Sequence, residues 1–394
     1  MALLPNTNGR RMDERLRNLF LGTLPALLIC ILLDFVAGGF LGKFFDKIMS
    51  SYPLILIILP GLMGLRGNIF GTMASRLTTM LHLGEMEATL RDERISKNIF
   101  LSMLLSLIPI LILWFIGVLT LGSSGAVEIL LIVIVSTIFT TLILGYSTAI
   151  AAVIPYRKGI DPDTVAAPLV TSAGDLVTLP FLILFLLIHE NSPSTFYILT
   201  LIAFATILVL SRKIRRGDYE RRIFREVLLI LGVLSLISSI SGGLLEHYSE
   251  IIYASLIFSV LYPPIADTTG NFGSIIGAKT STRIHLGEIE GFMDRESLLD
   301  IFSHFLTAFP IALLMNLMGI FVLNLFTGKS GEIIPLFILS YPFLILLNMI
   351  FAYFIAKGFT RIGMDPDNAT VPVITTIGDL SSVVFIVLMA EMMV

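Results

Sequence analysis

The residues of this chain that could do chemistry come in matched pairs. Asp175 and Asp379 each follow a glycine inside a long apolar stretch, in the sequences TSAGD and TTIGD, with no basic residue nearby in either stretch. An ionised aspartate near the centre of a membrane-spanning helix costs about 2.5 to 3.5 kcal/mol, so such residues usually face a pathway or a partner. Two matching carboxylates facing a pseudo-two-fold axis would make a site for a divalent cation. A carboxyl kept protonated, or hydrogen-bonded between helices, is the alternative without a function. Thr171 and Thr375 stand four residues before each acid and so share its helical face. They could donate to the carboxylate, line a path, or back-bond to their own helix.

A second pair lies upstream of each acid. Asn68 and Asn271 follow Gly67 and Gly270, and Pro60, Gly61 and Gly64 correspond to Pro263, Pro264 and Asp267. So many helix breakers are expected to unwind or kink a helix at membrane depth, where free carbonyls or the asparagine amides could hold a hydrated ion. Close glycine-mediated packing competes with that reading. Polar residues also mark one end of these stretches: Glu85, Glu87, Glu288 and Glu290, and Asp161, Asp163, Asp365 and Asp367 in two DPD turns. Eight carboxylates around a mouth would concentrate cations, whereas helix caps and a solvated rim would use the same residues. Asp161 and Asp365 are the favoured functional members. His82 and His285 read as interfacial, because hard cations prefer oxygen.

The elements that must hold these residues are membrane helices. Of the 394 residues 56% are hydrophobic and 14% charged, and the mean hydropathy is +0.93, a composition foreign to soluble domains. Apolar spans are expected near 19–41, 52–80, 98–119, 128–154, 164–188, 195–211, 227–245, 251–278, 299–326, 333–356 and 369–391. Each can cross about 30 Å of hydrocarbon. The first runs too long for a secretory signal and reads as a retained helix. The single cysteine, Cys30, lies inside it and excludes an intramolecular disulfide.

Arginine and lysine set the orientation. Arg91, Arg94, Lys97, Arg157, Lys158, Arg283, Arg295, Lys357 and Arg361 fall on one side with the N-terminus, as does a basic loop from Arg212 to Arg225. The opposite loops contain only Lys43, Lys47 and Lys329. The positive-inside rule then places the N-terminus in the cytoplasm and, after eleven spans, the C-terminus outside the cell membrane. The basic loop is explained by lipid, and nucleic acid binding has no support.

Laid on itself, the chain repeats. Gly67 to Glu87 matches Gly270 to Glu290 at an offset of 203, with eight of 21 positions identical, and Gly159 to Val177 matches Gly363 to Ser381 at 204, with nine of 19 identical. The identities are mostly Gly, Asn, His, Asp, Pro and Glu, which shared apolarity cannot produce. Five spans per repeat would invert the second copy; a sixth span between them keeps both the same way up. The expected fold is therefore an all-α integral membrane protein of eleven helices, two parallel five-helix repeats joined by a peripheral extra helix. Its parts are a basic tail (1–18), a first repeat (19–190), a linker helix and basic loop (191–226) and a second repeat (227–394).

These motifs, P-x(6)-GN-x(7)-R/K leading to LGE and DPD-x(4)-P-x-x-T-x-x-GD, resemble those of MgtE-type magnesium channels, and especially their animal solute-carrier relatives with two such domains in tandem. The resemblance runs from about residue 19 onward. It implies a pore between two five-helix copies, with hydrated Mg2+ on its axis at Asp175 and Asp379. It also implies that Asn68 and Asn271 match the asparagine of the second helix, and Asp161 and Asp365 the acid near the inner mouth. The bacterial members have cytosolic sensor domains, whereas a short basic tail stands here, so gating by such a domain is not expected. Arg66 stands where Thr269 does in the other half, and Asp267 replaces Gly64; Asp267 is the expected partner of Arg66 across the pseudo-axis.

The reading is transport of a divalent cation, Mg2+ before Mn2+, Co2+ or Ca2+, since oxygen ligands suit several of these ions. A Na+- or H+-coupled exchanger is the alternative. An intramembrane aspartyl protease is the remote one, because it would place its two acids in different motifs rather than copies of one. One chain already contains both halves of a pore, so a monomer suffices, and a dimer is allowed.

Overall fold

The computed structural model describes residues 24–82, 84–158, 166–213, 218–285, 287–289, 294–363 and 366–393. Among them helix is the only regular secondary structure, with no strand. The first half comprises α1 (Leu24–Ser51), α2 (Pro53–His82), α3 (Glu93–Leu121), α4 (Ala126–Arg157) and α5 (Ala166–Asn191). After α6 (Pro193–Lys213), the second half comprises α7 (Asp218–His247), a single short turn of helix α8 (Ser249–Ala254), α9 (Ile257–His285), α10 (Arg295–Thr327), α11 (Pro335–Arg361) and α12 (Pro366–Glu391). Ten of these are long and apolar enough to cross a membrane. The eleventh expected span is α9, one residue shorter than its partner α2 and interrupted by Pro263, Pro264, Asp267, Thr268 and Asn271. Such a helix needs other helices around it, and Phe258, Val260, Leu261, Tyr262 and Ile265 are each at most 1% exposed.

The outward faces are apolar. Leu119, Leu201, Leu229, Phe321 and Leu325 are among many large side chains left exposed, as a lipid solvent requires. α6 is peripheral, as expected of a helix that only corrects the topology. Just 11% of its apolar window is buried, against 78% for α2.

The two halves interlock. The first helix of each half packs on the second and third helices of the other: α1 on α9 and α10, and α7 on α2 and α3. It meets its own half mainly through the last helix, α5 or α12. Glycine makes both crossings. A Cβ on Gly38 would lie 2.0 Å from the Val260 carbonyl oxygen, and one on Gly242 would lie 1.8 Å from that of Ile57. These contacts are copies of one another at the same offsets of 204 and 203 that relate the sequence motifs. In the membrane, where apolar burial does not drive helices together, such backbone approach is a principal source of association. Pro264 also removes the amide hydrogen that would bond to Val260, leaving that carbonyl turned toward Gly38.

The proline- and glycine-rich segments do not unwind. α2 is continuous helix past Pro60, and α9 past Pro263 and Pro264. Each proline forfeits one intrahelical bond without opening a turn, and the glycines serve packing instead: Gly61 lies against Leu113, Gly270 against Thr375 and Gly273 against Asn348 and Ile374. The glycine of each LGE motif is the helix stop. Gly84 and Gly287 have φ of 69° and 70°. In both halves the glycine N–H bonds three residues back (Leu81, 3.2 Å; Ile284, 3.0 Å) and the glutamate N–H five back (Met80, 2.9 Å; Arg283, 2.9 Å). That is the Schellman cap.

Gly242→Ala should cost about 1–3 kcal/mol or more by forcing α7 off the Ile57 carbonyl. Gly243→Ala, next to it with nothing within 4 Å, should be neutral or mildly stabilising by helix propensity. Thermal unfolding of the two variants in detergent checks the contrast; equal melting temperatures would contradict the interlocked crossing.

Candidate functional site

α5 and α12 each project their aspartate toward the meeting of the two halves. Asp175 is 7% exposed, and Asp379 has its Oδ2 buried. Close packing of α12 on α9, with Gly378 against the Gly270 backbone, holds the second acid in place. Asp379 then reaches across to the other half: a Cβ on Gly64 of α2 would lie 2.9 Å from its Oδ2. The absence of a side chain at Gly64 is what leaves room for this carboxylate. At the matching position α9 carries Asp267, and Asp175 is close enough to both Asp267 and Asp379 to feel their charge. The acids of the two repeats are thus brought to one locality, with a third within electrostatic range of both.

A fourth acid joins this group. Asp34 of α1 is 0% exposed and faces the carboxyl of Asp267 at hydrogen-bonding range. Neither of its oxygens receives a hydrogen bond from an amide, hydroxyl or cationic group among the described residues. Asp267 accepts one from Asn271 Nδ2 at 2.6 Å. Asp34 escaped the sequence comparison because it has no counterpart: the offset of 204 relating Gly38 to Gly242 puts Ser238 in its place. The signal that could have found it was available, an acid inside the first apolar span.

Arg66 does not pair with Asp267. Its guanidinium, in a residue 2% exposed, turns to α4 of its own half and donates to Thr137 Oγ1 (3.0 Å) and Thr141 Oγ1 (3.2 Å). Two hydroxyls one helical turn apart supply acceptors within reach, while Asp267 belongs to the other half and is engaged with Asp34 and Asn271. Among the described residues none of the four acids forms an ion pair.

The other candidates divide. Asn68 lies half-buried on α2, its carbonyl accepting from Thr72 (2.9 Å). Thr375 takes the back-bonded alternative, donating to Val371 O (3.1 Å) and Pro372 O (3.0 Å) rather than to Asp379. Asp161, Asp365 and Glu290 lie outside the described residues, as do the side chains of Thr171, His82, His285 and Asp367. Glu85 and Glu87 are exposed, and Glu288 is exposed beside Arg283 (3.4 Å). Arg283 also binds Asp294 and Ser297 (2.8 Å), and Asp294 caps α10 by accepting from Ser297 N (3.0 Å). Burial opposes the Asp294 charge, but the Ser297 N–H and hydroxyl and the Arg283 guanidinium outweigh it and hold the carboxyl below the usual range. On the opposite side Glu190 ties α5 to α1 and to Tyr52, through Lys47 and the Tyr52 hydroxyl (3.0 Å).

With two copies of one acidic site placed at the join of two interlocked halves, the comparisons with known proteins fall into register. The model of the MgtE family, described as a divalent cation transporter, matches residues 59–185 and 262–389, the two repeats in turn. The chain belongs to the MgtE family. Solute carrier family 41 member 2 of Gallus gallus is 26% identical over 388 residues, covering 89% of this chain and 67% of the relative. The Homo sapiens member 2 is 26% identical over 407 residues with the same coverage, and member 3 of Rattus norvegicus 25% over 358 residues, covering 83% and 76%. No solved structure matches. The tandem form of the MgtE family was the resemblance carried by the motifs, and these relatives bear it out. A family of transporters leaves the protease alternative without support.

Removing both acceptors of Arg66 tests the placement of that cation. Thr137→Val with Thr141→Val should cost about 1.5–3 kcal/mol per hydroxyl lost, and adding Arg66→Met should recover most of it. Thermal unfolding of the purified variants reads both effects. A double variant as stable as the parent would contradict the pairing.

Proposed function

We propose that this chain carries Mg2+ across the cell membrane along the join between its two halves, the hydrated ion passing between the carboxyls of Asp175 and Asp379. The observation that carries this reading is the reach of Asp379 from one half over Gly64 of the other, with Asp175 within electrostatic range of Asp267, the residue that matches Gly64. A carboxylate at membrane depth is costly without a counter-ion, and Arg66, the one buried arginine among the described residues, is committed to Thr137 and Thr141. A transported cation is the counter-charge left to these acids.

Mg2+ fits the chemistry of the site. Among the described residues no three acidic, histidine or cysteine side chains are placed to chelate one ion. Mg2+ gives up its water reluctantly and is commonly held by one or two carboxylates with several waters retained. Asn68 and Asn271 stand one turn from Gly64 and Asp267 and would contact that water shell; Asp161 and Asp365 are proposed at the inner mouth, on the side the basic loops mark as cytoplasmic. Mn2+ meets the same oxygen ligands and is the nearest competitor.

Asp175→Asn and Asp379→Asn should each lower Mg2+ influx about tenfold or more, a loss of about 1.4 kcal/mol or more. Influx is read in proteoliposomes loaded with a Mg2+-sensitive dye under an imposed gradient. Parental influx by the double variant would overturn the assignment.

A further inference from the structure

The pore-facing acids are not symmetric, although the helices that hold them are. Gly38 and Gly242 make the same crossing on Val260 and Ile57. Four residues before each glycine, one crossing carries Asp34 and the other Ser238, and on the facing helix one carries Asp267 and the other Gly64. Both acids of the extra pair therefore fall on the same crossing, α1 with α9. Chance would as readily have put one acid on each.

Asp34 is wholly buried, and the group its carboxyl faces is another carboxyl, that of Asp267. Among the described residues neither Asp34 oxygen receives a hydrogen bond from an amide, hydroxyl or cationic group, and Asn271 Nδ2 donates to Asp267 Oδ2 at 2.6 Å. That amide orients Asp267 and leaves the Asn271 oxygen as a further acceptor. Three oxygen-bearing side chains thus converge from two helices on a place with no positive charge. Two carboxylates neutralise one divalent ion, which matters at a depth where net charge is expensive.

We infer that Asp34 and Asp267, with the oxygen of Asn271, form a second divalent-cation site on one side of the pathway, in addition to the axial site of Asp175 and Asp379. The proposal deepens the transport reading and rests on it. Asp267 lies within electrostatic range of Asp175 and Asp379 as well as Asp34, so it links the two sites. An ion at the side site would repel one on the axis and speed its departure, the arrangement multi-ion conduction requires. A symmetric pair of identical halves would have either two such side sites or none.

Mn2+ binding to the full chain in lipid nanodiscs, counted by electron paramagnetic resonance, tests this. The parent should bind two ions per chain. Asp34→Asn should bind one, and so should Asp34→Ser, which installs the residue the other half carries at this position and so controls for folding. Asp175→Asn with Asp379→Asn should lose the axial ion and keep the other. A parent that binds one ion, unchanged in both Asp34 variants and lost in the Asp175/Asp379 double variant, would overturn the side site and leave the axial reading standing. A double variant that keeps the full count would instead remove the axial reading.

Discussion

Carboxyl groups at membrane depth have to be answered by something, and that requirement organises this protein. Asp34, Asp175, Asp267 and Asp379 come from four helices and both halves, and among the described residues none meets a basic side chain. In water such a grouping would be an ordinary acidic patch. In a bilayer each ionised member costs kcal/mol rather than tenths, so the cluster is tolerable only if protons or passing cations occupy it. Arg66 could have neutralised one acid. Its engagement with Thr137 and Thr141 of α4 keeps its positive charge off the acids.

The backbone crossings explain how the cluster is held. Each half sends its first helix against the second helix of the other, and each crossing depends on a glycine meeting a main-chain carbonyl. Because the halves exchange helices, the acids of one repeat are positioned partly by the other. Asp379 has its place because Gly64 has no side chain, and Asp34 meets Asp267 because α1 belongs to the second half's packing as much as to its own. A single chain can therefore differ between its two sides in a way that two identical subunits cannot, and Asp34 with Asp267 is where this chain does so.

Much of this was legible in the sequence. Composition fixed the solvent, repeated polar motifs exposed the duplication, and the odd number of spans per repeat anticipated a peripheral α6. What was misread was the role of proline and glycine. Pro60, Pro263 and Pro264 suggested unwound helices, but α2 and α9 run on as continuous helix past them, the missing hydrogen bonds absorbed where neighbouring helices pack on the segment. The LGE glycines, Gly84 and Gly287, are helix caps, a function decided by φ and invisible to residue type. Pairing Arg66 with Asp267 followed from opposite charge alone; the hydroxyls that claim Arg66 lie about 70 residues away along the chain and only packing brings them near. Asp34 was passed over because attention to what the repeats share hides what only one of them has.

If the two repeats bring Asp175 and Asp379 together around a cation at the join of the halves, the position of that ion is measurable. Anomalous scattering from Mn2+ in crystals of the protein locates the ion directly. A peak between the carboxyls of Asp175 and Asp379, separated from them by a water shell, is the expected result. Bound Mn2+ with no peak there, found only at the exposed glutamates of the helix ends, would contradict it.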